Sequence, residues 1–389
     1  MSPVRFSAEP KSPVPLLIIN ASRVTGVAPL LVYFDGDAIT KDGSGREYHT
    51  EKHDWTFGDR ASGAVWGPTS LSKNRGRGPN VGHVFETAGT YTVRDIITTE
   101  DGKKFSPSKR IYVLDPNTVY AAGLTTVVSR TGDFTGKPTG ATELTTTDIG
   151  DVNALMIPGR RVLFRAGETW PTGFSVNARN VRIGKFGAGD KPIFQGGIRV
   201  SDAEHDCDDV VIMDLTLTGD DGNESAGIFF EGSATNFLAL RCDISHFGTN
   251  FQCLISTLNY YDGQGDPQSM YDMVGVVECT LEDAVNYDAF WDCWRMVMLG
   301  CTLDTVTDEH VFRSTWIKGG HIAHNSALNG VAGKHVFKIL APDYTDESAV
   351  VPLASKTQRL NMYSNRIVGS GAEDWIVALY PENSTEDNR

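Results

Sequence analysis

Apolar positions along this chain come in short bursts rather than in long stripes. "VVIMDLTL" (210–217), "LALRCDI" (238–244), "VGVVECTL" (274–281), "MVMLGCTL" (296–303), "GHIAHNSAL" (320–328) and "LNMYSNRI" (360–367) alternate apolar and polar residues and end at turn residues. That pattern predicts strands. A doubly wound α/β fold would need amphipathic helices between the strands, and no segment with clean 3.6-residue spacing supplies them. Forty glycines and seventeen prolines, scattered through the sequence, fit many short strands joined by turns.

The bursts repeat. Each runs apolar, then Cys or Asn or its equivalent, then a polar residue, then Leu or Ile. Taking Leu215, Cys242, Cys279, Cys301, Asn325 and Asn365 as equivalent gives steps of 27, 37, 22, 24 and 40 residues. The short steps fit single coils of a parallel β-helix, and the long ones fit coils with inserted loops. Equivalent residues then stack about 4.8 Å apart. The spacing predicts a sulfur ladder at Cys242, Cys279 and Cys301, and asparagines at a turn at 325 and 365. "EHVFRST" (309–315) and "KHVFKIL" (334–340) are the same strand on adjacent coils, with His310 and His335, and Arg313 and Lys338, each 25 positions apart.

Upstream, "PLLVYFDGDA … WTFGD … GHVFETAGTYTV … DG" resembles a polycystic-kidney-disease-type (PKD) domain, an Ig-like β-sandwich, through Asp35, Trp55, Phe57, Gly58, Asp59, His83, Phe85, Gly89, Thr90, Tyr91 and Val93. The resemblance implies a spacer or binding module with Trp55 in its core. A Gly-, Arg- and Ser-rich insert at about 60–80 departs from the pattern and is expected to project. The predicted organisation is an N-terminal arm (1–13), the sandwich (14–115), a connecting segment (116–156) and a right-handed parallel β-helix (157–389). The fold class is all-β. The coil pattern resembles the pectate-lyase-like superfamily, found in phage tailspikes and polysaccharide-active proteins.

Candidate chemistry follows from strand alternation. With Phe312 and Phe337 inward, Arg313 and Lys338 point outward as neighbours. The opposite phase would bury two stacked cations. The equivalent strand one coil earlier, "EDAVNYDAFWDCW", carries Asp288 and Asp292 around aromatics that include Trp291, with Trp294 just beyond. Gln252, Glu231, Glu373 and Asp374 extend the same face on other coils. Carboxylates, aromatics and cations in a line suit a sugar chain. The superfamily resemblance implies two reaction types. For a lyase, Arg313 or Lys338 would act as base or charge stabiliser, helped by His310 or His335. For a hydrolase, Asp288 with Asp292 or Glu309 would be the carboxylate pair. No diagnostic motif of either type is present. The bland alternatives are stacked core histidines, surface ion pairs for Arg313 and Lys338, and turn roles for Asp288 and Asp292. His321 and His324, three apart on a strand, face opposite ways and do not suggest a metal site. "GDDGNES" (219–225) and "YYDGQGDPQS" (260–269) lack the EF-hand pattern, so no cofactor is expected and calcium has no supporting motif.

A formal net charge of −14 argues against a nucleic-acid partner. No window is long and apolar enough for a membrane span, and the N-terminal stretch lacks a signal-peptide core. All six cysteines follow residue 200 without Cys-x-x-Cys spacing and read as free buried thiols. These features, with the resemblances, suggest a virion surface protein (a tailspike, fibre or capsid-decorating protein) that recognises, and in one version depolymerises, cell-surface polysaccharide. Other virion structural proteins would bind the Ig-like domain, and a homo-oligomer, trimeric by analogy, is expected. The alternatives are a secreted, extracellular polysaccharide lyase or glycoside hydrolase acting on an acidic polymer, and a non-catalytic structural or adhesive module. The apolar strand "WIVALY" runs straight into a polar tail, so a partner chain or further sequence is expected to cap the last coil.

Overall fold

The computed structural model describes residues 18–36, 52–60, 64–99, 102–121, 123–200, 207–222, 225–254, 271–315, 317–339, 359–369, 371 and 376–379. Within them the chain is all-β apart from two short helices, α1 (Pro116–Val119) and α2 (Ile149–Ala154).

The described residues of 18–115 form two sheets, antiparallel except where Thr25–Val27 pairs parallel with Ser108–Leu114. One runs Asn20–Ala21, Leu30–Asp35, Asn80–Phe85. The other runs Thr25–Val27, Ser108–Leu114, Gly89–Thr98, Lys52–Thr56, Arg75–Arg77, with Lys104–Phe105 against Gly89–Thr98. Alternation decides what lies between them: Leu30, Val32, Phe34, Trp55, Phe57, Val81, Phe85 and Val93 form a closed core. Trp55 is fully buried there, as expected, and its Nε1–H donates to Gly78 O at 2.8 Å.

The described residues from Thr125 onward wind as a right-handed parallel β-helix. Three parallel sheets form its walls, and from Arg161–Arg165 onward the chain visits the first, second and third in turn on each coil. A representative coil is Cys293–Leu299, Thr302–Val306, Phe312–Ser314; the next is Ile317–Ala323, Ser326–Leu328, Phe337–Ile339. The corner from first to second sheet is made by one left-handed residue per coil: Asp214, Arg241, Glu278, Gly300, His324 and Ser364 all have φ between 51° and 65°. The residues just after them are Leu215, Cys242, Cys279, Cys301, Asn325 and Asn365, the set read as equivalent from the sequence. Their ladder is bonded. Cys301 N–H donates to Asn325 Oδ1 at 2.8 Å, Asn325 N–H to Asn365 Oδ1 at 3.1 Å, and Asn325 Nδ2 to Met298 O at 3.0 Å. All six cysteines are free and buried.

Two expectations are corrected. Parallel pairing starts upstream of residue 157: Thr125–Ser129 pairs with Arg161–Arg165 on one side and Thr142–Thr145 on the other. The segment 116–156 is therefore part of the helix. Its strand "TTVVS" is too short to show alternation, because it is buried throughout. α2, N-capped by Asp148, pushes Val152 into the interior and closes the start of the stack.

The insert at 60–80 does not project. Its described part folds over the helix, where Trp66 is buried and its ring stacks on His324, centroids 5.6 Å apart and 12° from parallel. This contact belongs to a broad seam. The first sheet is apolar on both faces, as covered parallel sheets are. Its outer residues Val211, Leu238, Leu240, Val277, Val297 and Leu299 pack against Leu31, Tyr33 and Val84 of the sandwich. Backbones approach closely, and a Cβ on Gly275 would lie 2.4 Å from Leu31 Cδ2. Ion pairs rim the seam: Arg23–Asp209 at 2.6 Å, Lys73–Glu278 at 2.5 Å and Arg359–Asp35 at 2.5 Å.

Candidate functional site

With the first sheet covered, the outer faces of the second and third sheets remain. The second carries Thr216, Asp243, Thr280 and Thr302 in one outward row, and Ser245, Glu282 and Asp304 in the next. It is acidic. Burial raises the Glu282 carboxyl, and Asp283, Asp243 and Asp304 add to that.

The third sheet differs. Register stacks Arg199, Phe229, Gln252, Phe290, Arg313 and Lys338 in one row. The inward row beside it is Ile198, Ile228, Phe251, Ala289, Phe312 and Phe337, all fully buried. Inward phenylalanines force the cations outward, as the repeated tetrapeptides predict. Arg313 is fixed from two sides. It donates through Nη1 to Tyr287 Oη at 2.9 Å, and its guanidinium lies 5.0 Å from the Phe290 ring centroid and 5.9 Å from that of Tyr287. Tyr287 and Phe290 pack with centroids 4.9 Å apart. The row is a half-buried wall of flat rings, an amide and cations.

The histidines sit at the edge of this wall. Their rings stack at 5.3 Å, 5° from parallel, and both are buried. His310 Nδ1 lies 3.0 Å from His335 N and 3.1 Å from His335 O, and its Nε2 lies 3.5 Å from Glu309 Oε2. Burial, then the Lys338 charge, lowers His310 to about 4. Burial alone would raise Glu309, but Lys334, bonded at 2.7 Å, outweighs it and leaves the carboxyl lowered. His310 reads as a neutral, stacked structural ring and not as a base poised near neutral pH.

Other candidates do not join the wall. Trp291 is fully buried inside the coil, not on the outer wall. With Phe290 outward its neighbour must be inward. Asp292 is buried at the third-to-first corner and accepts from Thr315 N–H and Oγ1–H, both at 2.7 Å. Asp288 is sealed below the second-to-third corner, accepts from Asn250 Nδ2 at 2.9 Å, and is raised well above the usual carboxylate range by burial. Neither aspartate can serve a hydrolytic pair, because each is closed off from a substrate. Trp294 lies around the corner on the first sheet, with Lys318 Nζ 5.8 Å from its ring. Glu231 is on the third sheet but pairs with Arg199 at 3.3 Å. Glu373 and Asp374 lie outside the described residues. Sequence reasoning missed Tyr287, Phe229 and Arg199 as wall residues. The alternation around Phe290 and Phe230 was the available signal. Among the described residues no group of His, Cys, Asp or Glu could hold a metal ion.

No family model matches the chain, and no curated protein matches it. Among solved structures it is similar to the Agl-KA catalytic domain, with TM-score 0.38 and 10% identity over 88% of this chain and 69% of that one. It is also similar to a Family 28 exopolygalacturonase of Yersinia enterocolitica, with TM-score 0.30 and 11% identity over 94% of this chain and 91% of that one. At these scores the likeness adds no weight. The fold rests on the parallel registers.

Proposed function

We propose that this is a polysaccharide-recognition protein whose binding face is the outer wall of the third sheet. In the fuller version of this reading it is carried on a virion surface and attaches to cell-surface glycan. One observation carries the proposal: a continuous row of Phe229, Gln252, Phe290, Arg313 and Lys338, with Arg313 locked over Tyr287 and Phe290. Rings offer stacking faces for sugars, and the amide and cations offer polar contacts along the same line. The neighbouring acidic wall would repel an anionic polymer, and the sandwich occupies the first. Recognition is favoured over hydrolysis because Asp288 and Asp292 are sealed.

The test is a binding titration of the full chain against a panel of neutral and acidic polysaccharides. Phe290→Ala and Arg313→Ala should each weaken binding about tenfold or more, the scale of a central aromatic or Arg anchor. Undiminished binding in both would overturn the assignment of the face. Release of unsaturated or reducing-end sugars would replace it with the lyase or hydrolase reading. Absence of the protein from purified particles would remove the virion part alone.

A further inference from the structure

We propose that the seam between sandwich and β-helix is an acid-released latch, in which His321 and His324 hold the sandwich in place only as neutral rings. The geometry dictates their protonation. His321, buried in the seam, takes a hydrogen bond at Nδ1 from Gly82 N–H of the sandwich, 2.8 Å. An amide N–H can only donate, so Nδ1 carries no proton. Nε2–H then donates to Tyr363 Oη at 3.1 Å, an oxygen that also accepts from Arg77 N–H at 3.1 Å. His324, on the neighbouring corner, is stacked on Trp66, and its Nδ1 lies 3.1 Å from Thr69 Oγ1. Two contacts that hold the sandwich's Asn80–Phe85 strand and its 64–73 loop thus run through imidazoles.

A second proton on His321 would set N–H against N–H. Among the described residues no carboxylate acts on it. Among the described residues the ionisable groups acting on these two rings are each other, His83 and Arg77. Asp59, the nearby acid, is engaged by His83 at 3.2 Å. Tyr33 of the sandwich bonds Asn80, and Lys73 bonds Glu278. Burial first, then His324 at His321 and Arg77 at His324, lowers His321 to about 3 and His324 to about 4, from 6.5. Released rings regain their ordinary affinity for protons. Below pH 6.5 each therefore shifts the docked-to-released ratio tenfold per pH unit, about a thousandfold for the two together at pH 5. The shift begins well above the range in which the rim carboxylates protonate.

Hydrogen exchange of the full chain tests this. Opening constants, corrected for the intrinsic pH dependence of exchange, are read at 80–85 and 317–323 and compared with 249–253 on the third sheet, away from the seam. The wild type should open about a thousandfold more readily at pH 5 than at pH 7.5. The double variant His321→Asn with His324→Asn keeps an acceptor for Gly82 but takes up no proton, and its seam should show no such rise. Unchanged seam protection in the wild type at pH 5 would overturn the latch. So would an equal rise in the double variant, which would assign opening to the ion pairs. Should the double variant fail to dock at pH 7.5, ring titration by NMR in the wild type decides. Ring protonation coincident with seam opening supports the latch, and protonation near pH 6.5 with the seam still protected overturns it.

Discussion

Arg313 reaches the outer wall of the third sheet through a strand phase set one residue away, by Phe312 in the core. A change in that phase would matter more than a change in charge. Arg313→Lys keeps the cation but loses the fork that reaches Tyr287 Oη. It should retain part of the glycan affinity that Arg313→Ala loses, as titration of both variants would show. His310 gives a pH signature. Its proton affinity in the folded chain is depressed, so its contribution to stability is complete above pH 6.5. It fades as the pH falls towards 4, by about 3 kcal/mol in all. Denaturant unfolding of wild type and His310→Asn between pH 7 and 4 should converge by about that amount. A parallel fall in both would refute it. Asp292→Ala frees Thr315 N–H and Oγ1–H at a buried corner, and unfolding should report a loss of about 1–3 kcal/mol. The facing of Arg313 and Lys338 was legible because two near-identical tetrapeptides share one strand position. The inward side of Trp291 follows from the same alternation, one residue on from Phe290. The corner at Asp292 does not: "AFWDCW" bends there, which buries Asp292 and carries Trp294 onto another wall. A chain read as one continuous strand misplaces Asp292 and Trp294.

The coil is the unit at the next scale, and its corner shows why coils were recognisable but their edges were not. The ladder position recurs as Cys or Asn because both bond a backbone group one coil away. The left-handed residue before it is Asp, Arg, Glu, Gly, His or Ser, and shares no letter that a sequence could display. Asn325→Ala would orphan Cys301 N–H and Met298 O, and should cost about 1–3 kcal/mol in denaturant unfolding. Gly300→Ala separates backbone from packing. Neighbouring corners hold the same φ with full side chains, so backbone conformation alone is tolerable there. The added Cβ would meet Trp66 Cε3 at 2.5 Å. Seam protection in hydrogen exchange should therefore drop while the coil interior stays protected. Equal loss at both would contradict a docking role for Trp66. The early start of the helix, at Thr125, escaped notice for a related reason: a strand buried on both faces shows no alternation.

At the scale of the molecule, the two modules share one slab of side chains. The composition of the first sheet already carried the sign of this, in strands such as "VGVV" and "MVML" that leave no face for water. The PKD-like pattern predicted the sandwich but not where it sits, because docking depends on Gly82, Gly275 and Gly319, whose missing side chains make room. Outer Val211, Leu238, Leu240, Val277, Val297 and Leu299 would form a contiguous bare apolar patch without the sandwich. Solubility of the winding half is thus on loan from its neighbour. Expressed from residue 116 onward, the chain should clump through that patch, while the intact protein stays dispersed in the same buffer.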